Sequence, residues 1–272
     1  MPVYRMLMDV SANVLWRCGA AGNRQHRAYA LARFLAPVLQ RTFGPLRPGS
    51  PPYTAKIFNS LMTRFSRISP GFALDVAIDN RSLVTAALQQ RNGVLVATVH
   101  SALALAFHGI RDGMGRPPVF VGNQQDDMTG WNWGGFEPIV VLDAEDPTVL
   151  VKARSAAENG RIVVAFVDFN EPAEGPQFIS PNAFSLAHSM QLPVLHMLCT
   201  LEPTGRIRIH LAAEPEHLAN PRQKARAFAQ FIETLSGARI DIRRPKDTGL
   251  QGNATERSPG RGLRSRVSNG NR

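Results

Sequence analysis

The sequence predicts an α/β fold with a largely parallel central sheet flanked by helices, preceded by an N-terminal helical region. From residue 93 onward, short runs rich in β-branched residues alternate with segments of helical length. This alternation is typical of a parallel sheet whose crossover helices cover both faces. Residues 1–43 instead carry apolar residues at helical spacing, which indicates the helical region.

Residues 1–70 are predicted to form this amphipathic N-terminal region. Apolar residues recur at helical spacing from Val3 to Val14, and "HRAYALARFLAPVLQRTF" continues the pattern with a proline interruption. Arginines lie beside the apolar stripe. The Pro/Gly-rich segment "GPLRPGSPPY" predicts a connector, and a further helix is predicted over Ala55–Arg67.

Residues 71–244 are predicted to form the α/β domain. The strand candidates are "GVLVATV", "PPVFVG", "PIVVLD", "RIVVAFVD", "LPVLHML" and "GRIRIHLAAE". Helices are predicted at 101–111, 148–159, 182–191 and 221–236. Residues 245–272 contain mainly Gly, Ser, Asn and Arg with almost no apolar residues, so this basic tail is predicted to be disordered.

The net charge of +10 is concentrated at the two ends of the chain. Residues 1–50 carry seven Arg and one acid, and residues 243–272 carry eight Lys or Arg and two acids, which gives +6 at each end and −2 between them. Basic ends on a nearly neutral body favour attachment to a polyanionic surface, since anionic lipid attracts each nearby Lys or Arg by roughly 1 kcal/mol. Solvated ends without a partner are the alternative interpretation.

The sequence also disfavours nucleic-acid binding and a membrane-spanning helix. The basic ends lack interleaved aromatic residues and the chain contains no recognised nucleic-acid-binding module, so nucleic acid is not expected as a partner. No uninterrupted apolar run approaches the roughly 20 residues of a membrane-spanning helix. If the protein meets a membrane, the sequence predicts that it lies on the surface.

Three polar residues are predicted at the carboxyl ends of strands, where ligands collect in open α/β sheets: His100, Asn123 and Asp168. His100 also falls where the next helix is predicted to begin, and the positive end of that helix disfavours imidazolium. A neutral imidazole is the form that a general base requires. The competing interpretation is a structural histidine within the core.

Other catalytic and metal-binding signatures do not occur. There is no G-x-S-x-G elbow, no Walker loop and no G-x-G-x-x-G opening a helix. His188, His196 and His210 have no metal-ligand spacing, so the sequence predicts no metal site.

The serial order of the elements resembles the lysophospholipid acyltransferase superfamily, and within it the bacterial lipid A biosynthesis acyltransferases that add secondary acyl chains. The resemblance covers about residues 80–215. "GVLVATVHSALAL" is similar to the family's strand and histidine motif, and "VKARSAAENGRIVVAFVD" to its helix, glycine and strand ending in Pro-Asp. "EGPQFISPNAFSLAHSMQLPVLHM" is similar to the Phe-rich loop, Leu-Ala helix and next strand.

The resemblance implies an enzyme in which His100 is the general base. It would deprotonate an acceptor hydroxyl, which attacks the thioester of an acyl carrier protein or coenzyme A. No cofactor is implied beyond this acyl donor. The resemblance also implies a peripheral protein on the cytoplasmic face of the inner membrane, bound to anionic lipid.

Five residues are expected to line the substrate site: Ser101, Asn123, Lys152, Arg154 and Phe178. Ser101 follows the histidine, and Phe178 belongs to the Phe-rich segment. The two cations are candidates for a phosphate on the donor or the acceptor. A solvated helix face is the alternative interpretation of these cations.

The sequence departs from the family pattern at two positions. In the family, four residues separate the histidine from an Asp or Glu, and Leu105 occupies the position of this acid. The second departure is Val167, which replaces the proline before Asp168. Either Asp168 orients His100 from another strand end, or the chain is a catalytically degenerate protein that binds lipid or acyl carrier without turnover. An amine acceptor, being more nucleophilic than an alcohol, would lower the requirement for an acid.

Overall fold

The computed structural model describes residues 2–18, 23–44, 53–69, 72, 74–90, 93–101, 103, 106, 118–122, 140–144, 146–169, 177–237 and 240–242. The helices in these ranges are α1 Pro2–Cys18, α2 Arg24–Phe43, α3 Tyr53–Ile68, α4 Ser82–Gln90, α5 Val149–Glu158, α6 Asn182–Ser189 and α7 Pro221–Ser236. The strands are β1 Val76–Ile78, β2 Val94–Thr98, β3 Val119–Gly122, β4 Val140–Asp143, β5 Ile162–Phe166, β6 Asp168–Phe169, β7 Gln177–Ile179, β8 Val194–Leu201, β9 Ile207–Ala213 and β10 Ile240–Ile242.

A seven-stranded sheet in the order β1-β9-β8-β2-β5-β3-β4 forms the centre of the protein. Its neighbouring strands are parallel except for β8 and β9, which form an antiparallel pair. The predicted α/β class with a largely parallel sheet is therefore confirmed. The central strand β2 is buried along its whole length, which explains its continuous apolar sequence in place of an alternating one.

Helices cover both faces of the large sheet. On one face, α1, α2, α3 and α4 pack against it through a core that includes Phe58, Phe65, Val96, Phe120 and Met197. On the other face, α5, α6 and α7 pack through a second core whose large members include Phe184, Phe228 and Ile232. These two clusters are the first core and the second core, respectively.

A buried glutamine attaches α2 to the edge of the sheet. The Gln25 amide nitrogen donates to the backbone oxygens of Asp75 and Gly205, and its side-chain oxygen accepts from the Asp75 backbone nitrogen. Gly205 has φ +84°, and a Cβ there would lie 2.8 Å from the Gln25 backbone oxygen. The turn between β8 and β9 therefore requires a residue without a side chain where α2 approaches.

Local sequence signals account for the ends of α7. The Asn220 side chain accepts hydrogen bonds from the backbone nitrogens of Arg222 and Gln223, and Pro221 occupies the first helical position. Gly237, at φ 68°, ends the helix in the left-handed conformation that glycine adopts readily. These caps agree with the predicted helix at 221–236.

The structure corrects the sequence interpretation at several points. Pro37 does not interrupt the N-terminal helix but lies within α2. Both Pro37 and Arg33 are exposed, so water can bond the Arg33 carbonyl that proline leaves without an N–H partner. The predicted strand through Asp168 is divided at Val167, because the Val167 nitrogen donates to Thr98 and its oxygen accepts from Ser180.

Other predicted elements differ in their extent or fall outside the described residues. Strands β1, β7 and β10 and helix α4 were not predicted. A second sheet, in the order β10-β7-β6, adjoins the large one. Most of the predicted helix at 101–111 and the whole predicted disordered tail at 245–272 lie outside the described residues. None of the described helices combines the length and apolar character needed to span a bilayer.

Candidate active site

The register of two neighbouring parallel strands brings His100 and Asp168 together. Thr98, the last residue of β2, is paired with Phe166, the last residue of β5. His100 lies two residues after Thr98, and Asp168 lies two residues after Phe166. The two residues therefore remain side by side beyond the ends of β2 and β5. The Val167 nitrogen donates to the Thr98 oxygen at 2.9 Å and extends the pairing beyond the strand ends. The predicted convergence of these two residues at the carboxyl edge is what the structure shows.

Asp168 accepts two hydrogen bonds from His100 through one carboxylate oxygen. The His100 Nδ1 lies 2.8 Å from Asp168 Oδ1, and the His100 backbone nitrogen donates to the same oxygen at 2.7 Å. The Asp168 side chain is 4% exposed and the His100 side chain 44% exposed. A buried carboxylate thus fixes a histidine whose ring reaches the surface.

The hydrogen bond to Asp168 determines the tautomer of His100. An ionised carboxylate only accepts hydrogen bonds, so Nδ1 must carry the proton. In neutral imidazole, Nε2 then carries the free lone pair. Within the described part of the chain, no hydrogen bond reaches Nε2. This nitrogen is therefore oriented to accept a proton from a bound molecule.

Two phenylalanines form a platform beneath the His100 ring. The ring stacks on Phe166 with a centroid distance of 4.6 Å and an interplanar angle of 21°. Phe166 in turn stacks on the buried Phe120, at 6.2 Å. Together with the Asp168 hydrogen bond, this stacking restricts rotation of the imidazole. Sequence reasoning missed Phe166, although its position two residues before Asp168 was a signal that it lies beside the site.

Two opposing effects act on the pKa of His100. Burial lowers the pKa, but the hydrogen bonds and the negative charge of Asp168 raise it, and the net pKa lies above its usual value of 6.5. The sequence predicted a disfavoured imidazolium, and this prediction is wrong because the hydrogen bonds and charge of Asp168 together outweigh the effect of burial. A general-base role then depends on the neutral fraction of His100, which grows as the pH rises.

The predicted substrate residues near the strand ends have different outcomes. Ser101 directly follows His100, and its hydroxyl accepts from the Leu103 backbone nitrogen at 3.1 Å, which stabilises a turn. Phe178 is buried in β7 and paired with Phe169 of β6, the strand that begins at Asp168. Asn123 lies outside the described residues, as does Leu105.

The two predicted phosphate-binding cations lie on α5 and already form ion pairs. Lys152 Nζ lies 2.5 Å from Asp146, and Arg154 Nε lies 2.8 Å from Glu158. The hydrogen bonds from Lys152 and then Thr148 lower the pKa of Asp146 to about 2. Among the described contacts, none joins either cation to His100 or Asp168. This arrangement matches the alternative interpretation of a solvated helix face.

The fold and site define an α/β protein with an oriented histidine at the carboxyl edge of a parallel sheet, a geometry suited to general-base chemistry. No protein-family model matches the chain, and no curated protein matches its sequence. A solved structure similar to it is the crystal structure of the 1-acyl-sn-glycerophosphate acyltransferase PlsC from Thermotoga maritima. The match covers 86% of this chain and 97% of that chain, with 14% sequence identity and a TM-score of 0.43. At this distance, the similarity assigns neither an activity nor a site.

Proposed function

We propose that this protein is an acyltransferase that moves a fatty acyl group from an acyl thioester to a hydroxyl or amine of a lipid or glycolipid acceptor. The observation that carries the proposal is the 2.8 Å hydrogen bond between His100 Nδ1 and Asp168, which leaves Nε2 as the acceptor nitrogen. This geometry supports proton abstraction. The order of sequence motifs, which resembles the lipid A biosynthesis acyltransferases, supports acyl transfer as the reaction.

In the proposed reaction, His100 removes the proton of the acceptor hydroxyl as its oxygen attacks the thioester carbonyl. The proton moves to Nε2, and the carboxylate of Asp168 stabilises the imidazolium. The new carbon–oxygen bond forms, and the carbon–sulfur bond breaks as the tetrahedral intermediate collapses. The departing thiolate takes the proton from Nε2, which restores the neutral imidazole.

Asp168 offers an explanation for the leucine at the family's acid position. In the family pattern the acid follows the histidine in sequence, whereas here Leu105 stands there. Asp168 approaches His100 from the neighbouring strand and makes the contact that fixes the tautomer. An orienting carboxylate need not come from the same segment as the base, because its position in space determines its role.

We also propose that α1 and α2 attach the protein to an anionic membrane surface. Both helices expose large apolar side chains: Met6, Leu7, Val10, Val14, Phe34, Val38 and Phe43. The two helices carry six arginines and one acid, Asp9, which pairs with Arg64 at 2.5 Å. Exposed apolar residues beside unbalanced positive charge fit an interfacial position at anionic headgroups.

The acyl donor is proposed to be an acyl carrier protein or coenzyme A thioester. Both present phosphate groups, and Lys152 and Arg154 remain candidates to bind them. Their present partners, Asp146 and Glu158, form exposed ion pairs. Such pairs contribute typically about 0–1 kcal/mol, so a phosphate can displace them.

The proposal is tested by acyl-transfer assays with purified protein, acyl carrier protein and coenzyme A thioesters, and a panel of lipid and amine acceptors. His100→Ala should lower the rate by about 10²–10⁴, the usual contribution of a general base. His217→Ala is the matched control, because His217 is exposed. Equal rates for wild type and His100→Ala would rule out the mechanism. Wild-type protein that binds these ligands without turnover would support the non-catalytic alternative.

A further inference from the structure

A second His–Asp pair lies at the β1, β8 and β9 side of the sheet, and this pair contacts a hydroxyl. His210 Nδ1 lies 3.0 Å from Asp79 Oδ2, and His210 Nε2 lies 2.9 Å from Thr200 Oγ1. Thr200 lies in β8, one residue before its end, His210 lies in β9, and Asp79 directly follows β1. The arrangement is a nucleophile, a base and an orienting acid in series.

This second cluster lies on the opposite face of the sheet from His100. Side chains alternate along a strand, so Thr200 shares a face with Leu198, which belongs to the second core. Arg208 is the cross-strand partner of Thr200, and His210 follows two residues later on the same face. His100 instead stacks on Phe166, which packs against the first core. The two His–Asp pairs are therefore separate sites.

The hydrogen-bond donors of the second cluster follow from its chemistry. The Asp79 carboxylate only accepts, so His210 Nδ1 carries the proton and Nε2 is the acceptor when the ring is neutral. The Thr200 hydroxyl then donates to Nε2. This is the protonation pattern in which a histidine can remove a proton from a hydroxyl.

Asp79 is held by groups other than the histidine. Its second carboxylate oxygen accepts from Arg208 Nη1 at 2.8 Å, and its backbone nitrogen donates to the Ile209 oxygen at 2.9 Å. The hydrogen bond to Glu202 and the charges of Asp79 and Glu202 raise the pKa of Arg208. The His210 side chain is 20% exposed and Thr200 is half-buried, so small molecules can reach the cluster.

From this geometry we infer that Thr200 is a second reactive centre, a hydroxyl activated by His210 and Asp79 that takes an acyl group from an activated ester. Thr200 Oγ1 attacks the ester carbonyl and its proton passes to His210 Nε2. The bond to the leaving oxygen breaks, and that oxygen takes the proton from Nε2. A water molecule then gives its proton to Nε2 and attacks the threonine ester carbonyl. The bond to Thr200 Oγ1 breaks, that oxygen takes the proton from Nε2, and the carboxylic acid leaves. Arg208 faces Thr200 across the strands and bonds Asp79 and Glu202 through Nη1 and Nε, so it positions the acid of the cluster.

The test uses the full chain and p-nitrophenyl acetate as the probe. Rapid release of nitrophenolate is expected, with an acetyl group on Thr200 found by peptide mass spectrometry after acid quenching. Thr200→Val should abolish this modification. Thr200→Ser should retain it, which keeps the test valid if valine impairs folding. His210→Gln should slow acetylation of Thr200 by about 10²–10⁴.

Two controls separate this activity from others. Thr234→Val is the matched control, because the Thr234 hydroxyl bonds only the Gln230 backbone oxygen in the described contacts. His100→Ala should leave acetylation of Thr200 at the wild-type rate, so failure of the proposed acyltransferase mechanism does not affect this result. Acetyl groups on lysines or on the exposed Cys18 alone, or equal acetylation of Thr200 in wild type and His210→Gln, would overturn the inference.

Discussion

The two His–Asp pairs of this protein differ in the burial of the carboxylate and in the partner of Nε2. Asp168 is 4% exposed, whereas Asp79 is 36% exposed and shared with Arg208. His100 has no described partner at Nε2, whereas His210 Nε2 contacts Thr200. The His100–Asp168 pair is therefore arranged to act on the hydroxyl of a bound molecule, whereas the His210–Asp79 pair contacts a hydroxyl of the protein itself.

The largest effect that separates the two pairs is expected from asparagine at each acid. Asp168→Asn should lower kcat/KM for acyl transfer by about 10²–10⁴, because the asparagine amide can donate to Nδ1 and favour the tautomer with protonated Nε2. Asp79→Asn should leave acyl transfer unchanged. Steady-state assays of both variants test this expectation, and equal losses in the two would contradict the assignment of separate roles.

The pH dependence of acyl transfer in wild type and in Asp168→Asn gives a second readout. His100 acts in its neutral form and Asp168 raises its pKa, so wild-type kcat/KM should rise with pH to a midpoint above 6.5. In Asp168→Asn, burial remains and the midpoint should move to lower pH. The raised pKa also means that the His100 contribution to stability is present below pH 6.5 and lost as pH rises through the folded pKa. An unmoved midpoint would show that Asp168 does not control the base.

His196 shows what burial does to a histidine that pairs with no acid among the residues described by the structure. It is 2% exposed, and burial followed by the charge of Lys224 lowers its pKa to about 4. Because the folded pKa is below the unfolded value of 6.5, stability is present above pH 6.5 and lost as pH falls toward 4. The difference corresponds to about 3 kcal/mol in the free energy of unfolding.

His196→Leu should reduce this acid loss, since leucine does not titrate. Urea unfolding of the variant and wild type at neutral pH and near pH 4 measures the difference. Burial raises the pKa of the nearby Glu214, which is paired with Lys224, and the comparison of two proteins that share this carboxyl removes most of its contribution. Identical pH dependence in both proteins would contradict the prediction.

Alanine at each acid should show a difference in stability. Asp168→Ala removes two hydrogen bonds from a buried carboxylate and should cost about 1–3 kcal/mol in the free energy of unfolding. Asp79 is 36% exposed and stays partly hydrated without its partners, so Asp79→Ala should cost less, about 0–1 kcal/mol. Urea denaturation at one pH measures both values. A larger loss for Asp79→Ala would mean that burial does not separate the two carboxylates.

The smallest effect is expected from the aromatic platform. Phe166→Leu keeps an apolar side chain but removes the stacking on His100, which is worth about 0.5–1.5 kcal/mol. We expect kcat/KM for acyl transfer to fall by up to about tenfold, since 1.4 kcal/mol corresponds to a factor of ten. Acetylation of Thr200 should not change. An unaltered kcat/KM would show that the Asp168 hydrogen bond alone positions the ring.

The main strands and the proximity of His100 to Asp168 could be predicted from the sequence, because parallel strands end at a common edge and both residues follow apolar runs. The order of the strands could not be predicted from the sequence, because packing between the elements determines that β2 lies beside β5. The strands of two or three residues, such as β1 and β10, are too short to show a period.

The second His–Asp pair was missed for a related reason. The spacing of His210 in the sequence shows only that it lacks a metal-ligand pattern, and Asp79 lies more than 100 residues before it. The parallel pairing of β1 with β9 and the antiparallel pairing of β8 with β9 bring Asp79, Thr200 and His210 together. Nothing in the local spacing of these residues indicates that contact. The raised pKa of His100 was likewise set by a neighbour distant in sequence.

Val167 is the single residue between β5 of the large sheet and β6 of the small one, and its backbone is bonded on both sides. His100 therefore follows a strand of the large sheet, whereas Asp168 begins a strand of the small one. The length of the hydrogen bond between them therefore depends on the relative position of the two sheets. A small displacement of one sheet relative to the other would lengthen that bond, and Nδ1 would no longer be favoured as the protonated nitrogen. A rigid junction at Val167 is therefore a condition for His100 to act as a base.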